Sequence, residues 1–572
     1  MDSLFTPHCS LLITHFFMSF IHPYDRLLSP VFCQLPSYSV ARWEFLLHCY
    51  NVTLLHQIFP LTSFHNSSFS IIFAVDFRCA SPMSLNKLTK TRFRHYGCYL
   101  LIALWGAVCW AFFQFCYPYH FFYQEQNQLF VLTRDEWYRY VSEGSGWLAR
   151  WVGDFLTQFY YYLYVGAILL TLCLLALGDV VRRALQGLGM RRGWAMALGI
   201  GVMTAEAWRH LWYAYPLSST MTLLGYALAV WFASLLPTRR RWVRGVVLLV
   251  VLAFAYCLFG LPEKGKFRMP EMEMERYLAI DNEYYFGHDE RVVELAKKDG
   301  GKLNISSFYY NLSNARLGRL PDGLLALQPV ELGTLWQIGP ETPVSIIRVM
   351  NELYYELGDM TYAERAAMMG NVFTRHNRNV RMVKRLAECN LVSGDSAAAE
   401  KYLRLLDHTL TYSQWAKLAR RNPVYARKSA YVNRADTLRL GDDARTILTE
   451  LLDSNPNNDI ALDYLLCHEL VQRNVAMFKM YYDKYCMARQ KPRIRPLYQQ
   501  ALLAWLASNH ATEEEMLRYI QDESQLRNFN AYNAVRGTAA AAKWRETYWY
   551  YFDKRAPTDP PQPGGRYPCN DE

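Results

Sequence analysis

Residues 97–117 read GCYLLIALWGAVCWAFFQFCY, and this stretch decides the class of fold. A helix of about 20 apolar residues crosses the hydrocarbon core of a bilayer, which is roughly 30 Å thick. Further apolar runs follow before residue 262, and the weakest of them carries Glu206, Arg209 and His210. The sequence therefore predicts an N-terminal bundle of five transmembrane helices, at 97–117, 155–178, 194–213, 215–236 and 243–261.

The basic residues of this region support the count, because Lys and Arg are enriched in the cytoplasmic loops of membrane proteins. The first run is preceded by Lys87, Lys90, Arg92 and Arg94. With five spans, the Arg-rich loops 181–193 and 237–242 fall on the same side as this leader. We therefore predict a cytoplasmic N-terminus and a periplasmic region after residue 261. Residues 83–261 hold 16 basic and seven acidic side chains (16 − 7 = +9), so the positive charge indicates topology and not a nucleic-acid partner.

Residues 1–82 differ from the rest in composition, because they contain no Gly and no Lys but hold six of the 14 His. None of their His and Cys residues has the spacing of a metal site, such as C-x2-C or H-x3-H. Met83 is followed by a basic leader and then by the first apolar run. We predict that residues 1–82 are a mis-assigned, disordered extension, and that the membrane domain comprises residues 83–261.

Residues 262–555 predict an almost all-α soluble domain, because apolar residues recur there at helical spacing. Two segments look like successive repeats, MNELYYELGDMTYAERAAMMG (350–370) and RLAECNLVSGDSAAAEKYLRL (385–405), with their Gly-Asp pairs 36 residues apart. They resemble tetratricopeptide-type repeats, helix pairs of about 34 residues that stack into a solenoid with a concave face for partner proteins. A plain helical packing domain without a groove function is the alternative. The Pro/Gly-rich tail 556–572 is predicted to be disordered.

Three longer segments carry a resemblance to a known family. They are YPYHFFYQEQNQLF (117–130), GDFLTQFYYY (153–162) and VKRLAECNLVSGDSAAAEKYLRLLDHTLTYSQWA (383–416). The chain resembles an uncharacterised family of multi-pass inner-membrane proteins of Gram-negative bacteria. The resemblance implies this architecture and no activity, and residues 1–82 have no place in the family pattern.

Polar residues near the outer ends of the spans are the candidate site, because burying a charge in lipid costs at least a few kcal/mol. The candidate catalytic residues are Glu125, Asp154 and Glu206. Gln126, Gln128, Gln158, Arg209 and His210 complete the predicted polar cluster. A lipid-linked glycan transferase with Glu125 or Asp154 as its base is one interpretation. The other is that Glu206 pairs with Arg209 structurally and that the Gln and Tyr residues anchor helix ends.

No complete catalytic, dinucleotide or metal motif is present, so an enzyme is not the first expectation, and no cofactor or metal is predicted. The expected function is a scaffold or assembly partner for envelope proteins, with the repeats holding the partner protein and the spans embedded in the bilayer of the bacterial inner membrane. A membrane enzyme for lipid-linked glycans is the alternative, and transport is a weaker one.

Overall fold

A computed structural model describes residues 85–236, 241–302, 304–336, 344–374, 377–430 and 443–554. The chain divides into two units, residues 1–93 and 94–572, and the second holds the features below apart from the first turns of helix α1. The predictions for residues 1–82 and for the tail 556–572 lie outside the described residues. The described residues form helices and no strand, so the all-α prediction is confirmed.

The described residues before 260 form eight α-helices. They are α1 (Leu85–Phe115), α2 (Tyr119–Gln126), α3 (Arg134–Ser142), α4 (Trp147–Thr157), α5 (Val165–Gly187), α6 (Arg192–Arg209), α7 (Leu217–Leu235) and α8 (Arg241–Phe259). We call α1, α5, α6, α7 and α8 the apolar bundle. Helix α5 packs on both α6 and α7, and α8 packs on α7. The shorter α4 packs across α7 and α8, at the end of the bundle where α7 begins and α8 ends.

The remaining helices form the hairpin region. Its first half contains α9 (Met272–Tyr285), α10 (Asp289–Asp299), α11 (Asn304–Arg316), α12 (Leu320–Gly323), α13 (Val344–Leu357), α14 (Met360–Val372), α15 (Val380–Ser393) and α16 (Ser396–Asp407). Its second half contains α17 (Ser413–Ala419), α18 (Pro423–Ser429), α19 (Ala444–Ser454), α20 (Asp459–Val471), α21 (Val475–Tyr482), α22 (Pro496–Ser508), α23 (Glu513–Tyr519), α24 (Glu523–Val535) and α25 (Tyr548–Asp553). One continuous hydrophobic core runs through most of this region.

Within the described residues, three helices are long and apolar enough to cross a membrane: α5, α7 and Trp242–Phe259 of α8. They become four if Tyr99–Phe115 of α1 and the whole of α2, which meet at an angle of 74°, are counted as one bent span. Helix α6, the third predicted run, does not meet this criterion and ends at Arg209. The prediction of five spans is therefore not confirmed by length and composition alone.

The second predicted run, 155–178, is not a single helix. Helix α4 ends at Thr157, a 3₁₀ turn follows, and the backbone is extended at Tyr162 before α5 begins at Val165. The apolar and aromatic side chains of 155–164 give the run a continuous appearance in the sequence, although they belong to the end of α4, the 3₁₀ turn and the link to α5. A Cβ at Gly153 of α4 would lie 2.4 Å from the Cα of Ser218, so only glycine allows this close approach to α7.

The predicted repeat turns have the same structure in both hairpins. Gly358 ends α13 with φ of 82° and Gly394 ends α15 with φ of 84°, a conformation that favours glycine. The next residue caps the second helix in each case: Asp359 accepts from the backbone N–H of Tyr362, and Asp395 accepts from that of Ala398. Helices α13 to α16 pack in sequence, so the Gly-Asp pairs mark two successive αα-hairpins.

Candidate functional site

One face of the hairpin region, formed by α13 and α15, is covered by segments next to the apolar bundle. Gln126, at the end of α2, accepts hydrogen bonds through Oε1 from Arg348 Nη2 (3.0 Å) and Arg381 Nη1 (3.1 Å). The Oδ1 of the following Asn127 accepts from Arg348 Nη1 (3.1 Å) and from Asn379 Nδ2 (2.9 Å). The chain itself therefore fills this face, and α2 is bonded to the helices of both hairpins.

Helix α9 reaches the same face through a buried ionic cluster. Asp281 accepts from Arg381, with Nη1–Oδ2 of 2.6 Å, and from Arg348, with Nη2–Oδ2 of 3.3 Å. Glu352 of α13 accepts from Arg381 Nη2 at 2.9 Å and also pairs with Arg385. All of these side chains are almost fully buried. The guanidinium groups of α13 and α15 thus hold the two carboxylates between them.

The pKa values of these carboxyls follow from burial and from the neighbouring arginines. Burial raises the pKa of Asp281, but the positive charges of Arg381 and Arg348 outweigh it and hold the pKa below its usual 3.8. For Glu352, burial is likewise outweighed by Arg385 and Arg381, so its pKa lies below 4.5. Both carboxyls are ionised at neutral pH, and the cluster consists of charged pairs.

Glu125 has a different environment, although it adjoins Gln126 in the chain. Its Oε2 accepts a hydrogen bond from the hydroxyl of Tyr412 (3.1 Å), and it is buried. Burial raises the pKa of Glu125 from 4.5 to about 8, although the hydroxyl of Tyr412 and the charge of Lys384 favour the ionised form. Glu125 therefore keeps its proton through much of the neutral range and joins α2 to the segment between α16 and α17.

A cavity of about 360 Å³ lies where the apolar bundle meets the hairpin region. Its lining includes Asn127, Gln128, Asp154, Arg139, Arg348 and Arg378. Asp154 Oδ2 accepts from the hydroxyl of Tyr140 at 2.7 Å, and Gln128 Nε2 donates to the backbone carbonyl of Asp154 at 2.9 Å. Pro216, the residue before α7, also borders the cavity, which therefore lies at the end of the bundle where α7 begins.

Glu206 lies at the end of α6 in a separate polar cluster. Its Oε1 accepts from the hydroxyls of Thr220 (2.8 Å) and Tyr215 (3.0 Å), and its Oε2 accepts from Arg209 Nη1 (3.3 Å). The ring Nε2 of His210 lies 2.7 Å from the hydroxyl oxygen of Thr220. The predicted pair of Glu206 and Arg209 is thus present, and the cluster ties α6 to the start of α7.

The predicted site residues are distributed over three places. Asp154 and Gln128 line the cavity, whereas Glu125 and Gln126 face the hairpin region. Glu206, Arg209 and His210 form the cluster at the turn between α6 and α7. Gln158 joins α4 to the hairpin region, because its Oε1 accepts from the backbone N–H of Leu410 at 3.3 Å. The three candidate carboxylates therefore have different hydrogen-bond partners, and among them Asp154 alone is in the lining described for the cavity.

Sequence reasoning missed Asp281, Arg348, Arg378 and Arg381. The repeat pattern of the hairpin region predicts helix pairs, but it does not indicate that charged residues of these helices contact residues 125–128. One signal was present, because Arg381 and Arg385 lie one turn apart on α15, on a face that also carries apolar side chains. Arginines on the apolar face of a helix are rarely buried without carboxylate partners.

Within the described residues, no group of three or more His, Cys, Asp and Glu side chains is placed to hold a metal ion. Comparison with curated proteins and with solved structures gives no match. A family profile does match, over residues 94–263 and again over 261–555, which together include both the apolar bundle and the hairpin region. The chain therefore belongs to the family of unknown function DUF6057.

Proposed function

We propose that this protein is a multi-pass protein of the bacterial inner membrane whose hairpin region, on the periplasmic side, is a scaffold for envelope proteins. The membrane location is supported by α8. The apolar residues of this helix are almost entirely exposed on the surface of the fold, and Leu249 and Phe254 are 68% and 65% exposed. Water is a poor solvent for an apolar helix face of this length, whereas a bilayer accommodates it.

Helix α6 is proposed as the fifth span, because it packs along α5 of the bundle. A Cβ at Gly199 would lie 2.8 Å from the carbonyl oxygen of Gly178 in α5, so the two backbones approach closely. Small residues at such contacts are typical of membrane helix pairs. The Nε1 of Trp105 in α1 also donates to Thr204 of α6 at 3.1 Å. Five spans and a cytoplasmic N-terminus put the hairpin region in the periplasm.

The observation that carries the scaffold proposal is the bonding of α2 to the face of α13 and α15. This bonding fixes the hairpin region on the bundle, in one orientation relative to the membrane. If the hairpins are of the tetratricopeptide type, this is the inner face, and it is already occupied. The second helices, α14 and α16, then remain as the surface for a partner protein.

Helix α14 has the apolar surface that such a partner needs. Met368, Met369, Val372 and Phe373 are exposed side by side at its C-terminal end, with Val372 at 59% and Phe373 at 54%. Contiguous exposed apolar side chains mark interaction sites, and methionine adapts to varied partner surfaces. We therefore place partner binding on α14.

The experiment uses a photocrosslinking amino acid in place of Val372 in the full-length protein, expressed in its own membrane. The matched control has the same amino acid in place of Leu517 of α23, which is also well exposed (68%) but lies on a different helix. The proposal predicts one discrete adduct with an envelope protein from position 372, which Met368→Lys abolishes. The absence of an adduct at 372, or the same adduct from both positions, would contradict it.

A second candidate function is a membrane enzyme for lipid-linked glycans, and the presence of Asp154 in the cavity favours it. A carboxylate held by the hydroxyl of Tyr140 beside a cavity has the arrangement of a general base. The test compares Asp154→Asn with Glu206→Gln, which lies outside the cavity lining. Catalysis would be supported if Asp154→Asn alone, at normal protein levels, failed to restore the phenotype of cells that lack the protein. Wild-type behaviour of both variants would exclude it.

A further inference from the structure

The cavity between the bundle and the hairpin region has a cationic lining. Arg139 of α3, Arg348 of α13 and Arg378 before α15 all border it. The charged residues described in the lining are these three arginines and Asp154, which gives a formal charge of 3 − 1 = +2. The carboxylates that pair with the arginines, Glu136, Glu143 and Asp281, are not among the lining residues. The positive charges are therefore on the cavity side of these pairs.

The cavity also contains hydrogen-bond donors in excess. Arg378 uses Nη1 for Glu136 (2.6 Å), and no partner for its other two nitrogens is found among the described residues. The Oδ1 of Asn127 accepts from two donors, Arg348 and Asn379, which fixes the orientation of the amide. Its Nδ2 donor has no partner within the described part of the chain. Spare guanidinium and amide donors are the groups that bind phosphate or carboxylate oxygens.

The size and position of the cavity limit the ligand. A volume of about 360 Å³ lies at the lower end of the range for small-molecule sites. It holds a polar head group but not the acyl chains of a lipid as well. Phe373 lines the cavity and is more than half exposed, so the polar lining continues into an apolar rim. The cavity lies at the end of the bundle where α7 begins, the level at which lipid head groups are found if the bundle spans the membrane.

We propose that this cavity is a binding site for a phosphate-type oxyanion, carried by the head group of a membrane amphiphile or by a soluble phosphate compound. Arg378 and Asn127 donate to its oxygens, and Arg348 and Arg139 supply the surrounding positive charge. The site goes beyond the scaffold function and does not depend on it. Its location at the head-group level rests on the proposed membrane insertion.

The experiment measures binding to the purified full-length protein in an uncharged detergent by titration calorimetry. The probes are inorganic phosphate, dihexanoyl phosphatidate and, as the phosphate-free comparison, dihexanoylglycerol. The variants are Arg378→Gln, which removes the spare donors, and Ala214→Leu, which fills part of the cavity and leaves every arginine in place. Arg420→Gln is the matched control, since Arg420 is paired with carboxylates and partly exposed like Arg378 but is not in the lining.

The proposal predicts that phosphatidate binds the wild-type protein and Arg420→Gln alike, and that Arg378→Gln weakens binding by about tenfold or more. Ala214→Leu should also weaken the binding of phosphatidate. This variant tests the proposal if Arg378→Gln fails to fold. Equal binding of inorganic phosphate identifies a soluble ligand, and binding of phosphatidate alone identifies a lipid head group. Three results would overturn the proposal: no binding of either phosphate probe, equally tight binding of dihexanoylglycerol, or equal effects of Arg378→Gln and Arg420→Gln.

Discussion

Arg381 and Asp281 form a buried ion pair with an Nη1–Oδ2 distance of 2.6 Å, although they are 100 residues apart in the chain. Asp281 is on α9, which follows the last helix of the apolar bundle, and Arg381 is on the first helix of the second hairpin. Arg381 also bonds Gln126, which follows the first helix of the bundle. One guanidinium therefore joins two helices of the hairpin region to each other and to the end of α2.

Replacing Arg381 should destabilise the protein strongly. Arg381→Gln leaves the buried Asp281 without its closest cation and Glu352 with Arg385 alone. Breaking a buried ion pair by removing one partner costs about 3–5 kcal/mol of unfolding free energy. We expect a large fall in the melting temperature of the purified protein, whereas Arg404→Gln, at an exposed ion pair, should leave it unchanged. Equal melting temperatures for the two variants would show that the buried cluster does not hold the fold together.

The raised pKa of Glu125 predicts a specific pH dependence. Its pKa is about 8 in the folded protein and 4.5 as its ordinary value, so the folded state binds the proton more tightly than the unfolded state. The resulting stabilisation is complete below pH 4.5 and is lost as the pH rises through 8. Glu125→Gln keeps an uncharged side chain at every pH. Its melting temperature, relative to the wild type, should therefore rise between pH 5 and pH 9.

Asp281 predicts the opposite dependence of stability on pH, because its pKa is lowered in the folded protein. The stability that its charge contributes is present above the ordinary pKa of 3.8 and is lost as the pH falls through the lower, folded value. Asp281→Asn should therefore destabilise the protein most at neutral and alkaline pH. If both variants showed the same pH trend relative to the wild type, the assignment of a protonated Glu125 beside an ionised Asp281 would be wrong.

The close contact between α4 and α7 is tested by adding one methyl group. In Gly153→Ala, the new Cβ would meet the backbone of Ser218 at 2.4 Å, so α4 must move away from α7. Overpacking of this kind typically costs about 1–3 kcal/mol. Gly201→Ala in α6 is the control, because its Cβ would meet no atom within 4 Å and alanine favours helix. Thermal melting should separate the two variants, and a Gly153→Ala protein as stable as Gly201→Ala would contradict this packing.

Several parts of the fold were predictable because they depend on local sequence. The helical spacing of apolar residues predicts the all-α class, and the pairs Gly358-Asp359 and Gly394-Asp395 predict two equivalent turns. The break at Tyr162 was not predictable from hydropathy. The hydropathy of a residue is the same whether its helix runs along the bundle or packs across it. The direction of α4 is decided by its contact with Ser218, a residue of another helix.

The site was less predictable, because its contacts join distant parts of the chain. Asp154 and Gln128 were identified as polar residues near predicted spans, and both line the cavity. Arg348, by contrast, bonds Gln126 across 222 residues, and no local pattern connects the two. From the sequence, Glu125 and Glu206 were predicted to lie in the same cluster as Asp154, because all three fall near one end of the predicted spans. The sequence does not show which partners each carboxylate contacts.

The location of the hairpin region relative to the membrane is the central claim, and reporter fusions test it most directly. Alkaline phosphatase, which is active only outside the cytoplasm, and a fluorescent protein that folds only inside it are each fused after residue 554 of the full chain. Five spans predict phosphatase activity without fluorescence. Fluorescence without phosphatase activity would mean an even number of spans, such as the four obtained when α1 and α2 are counted as one bent span and α6 is left out. That result would place the hairpin region and the cavity in the cytoplasm and contradict the proposed role in the envelope.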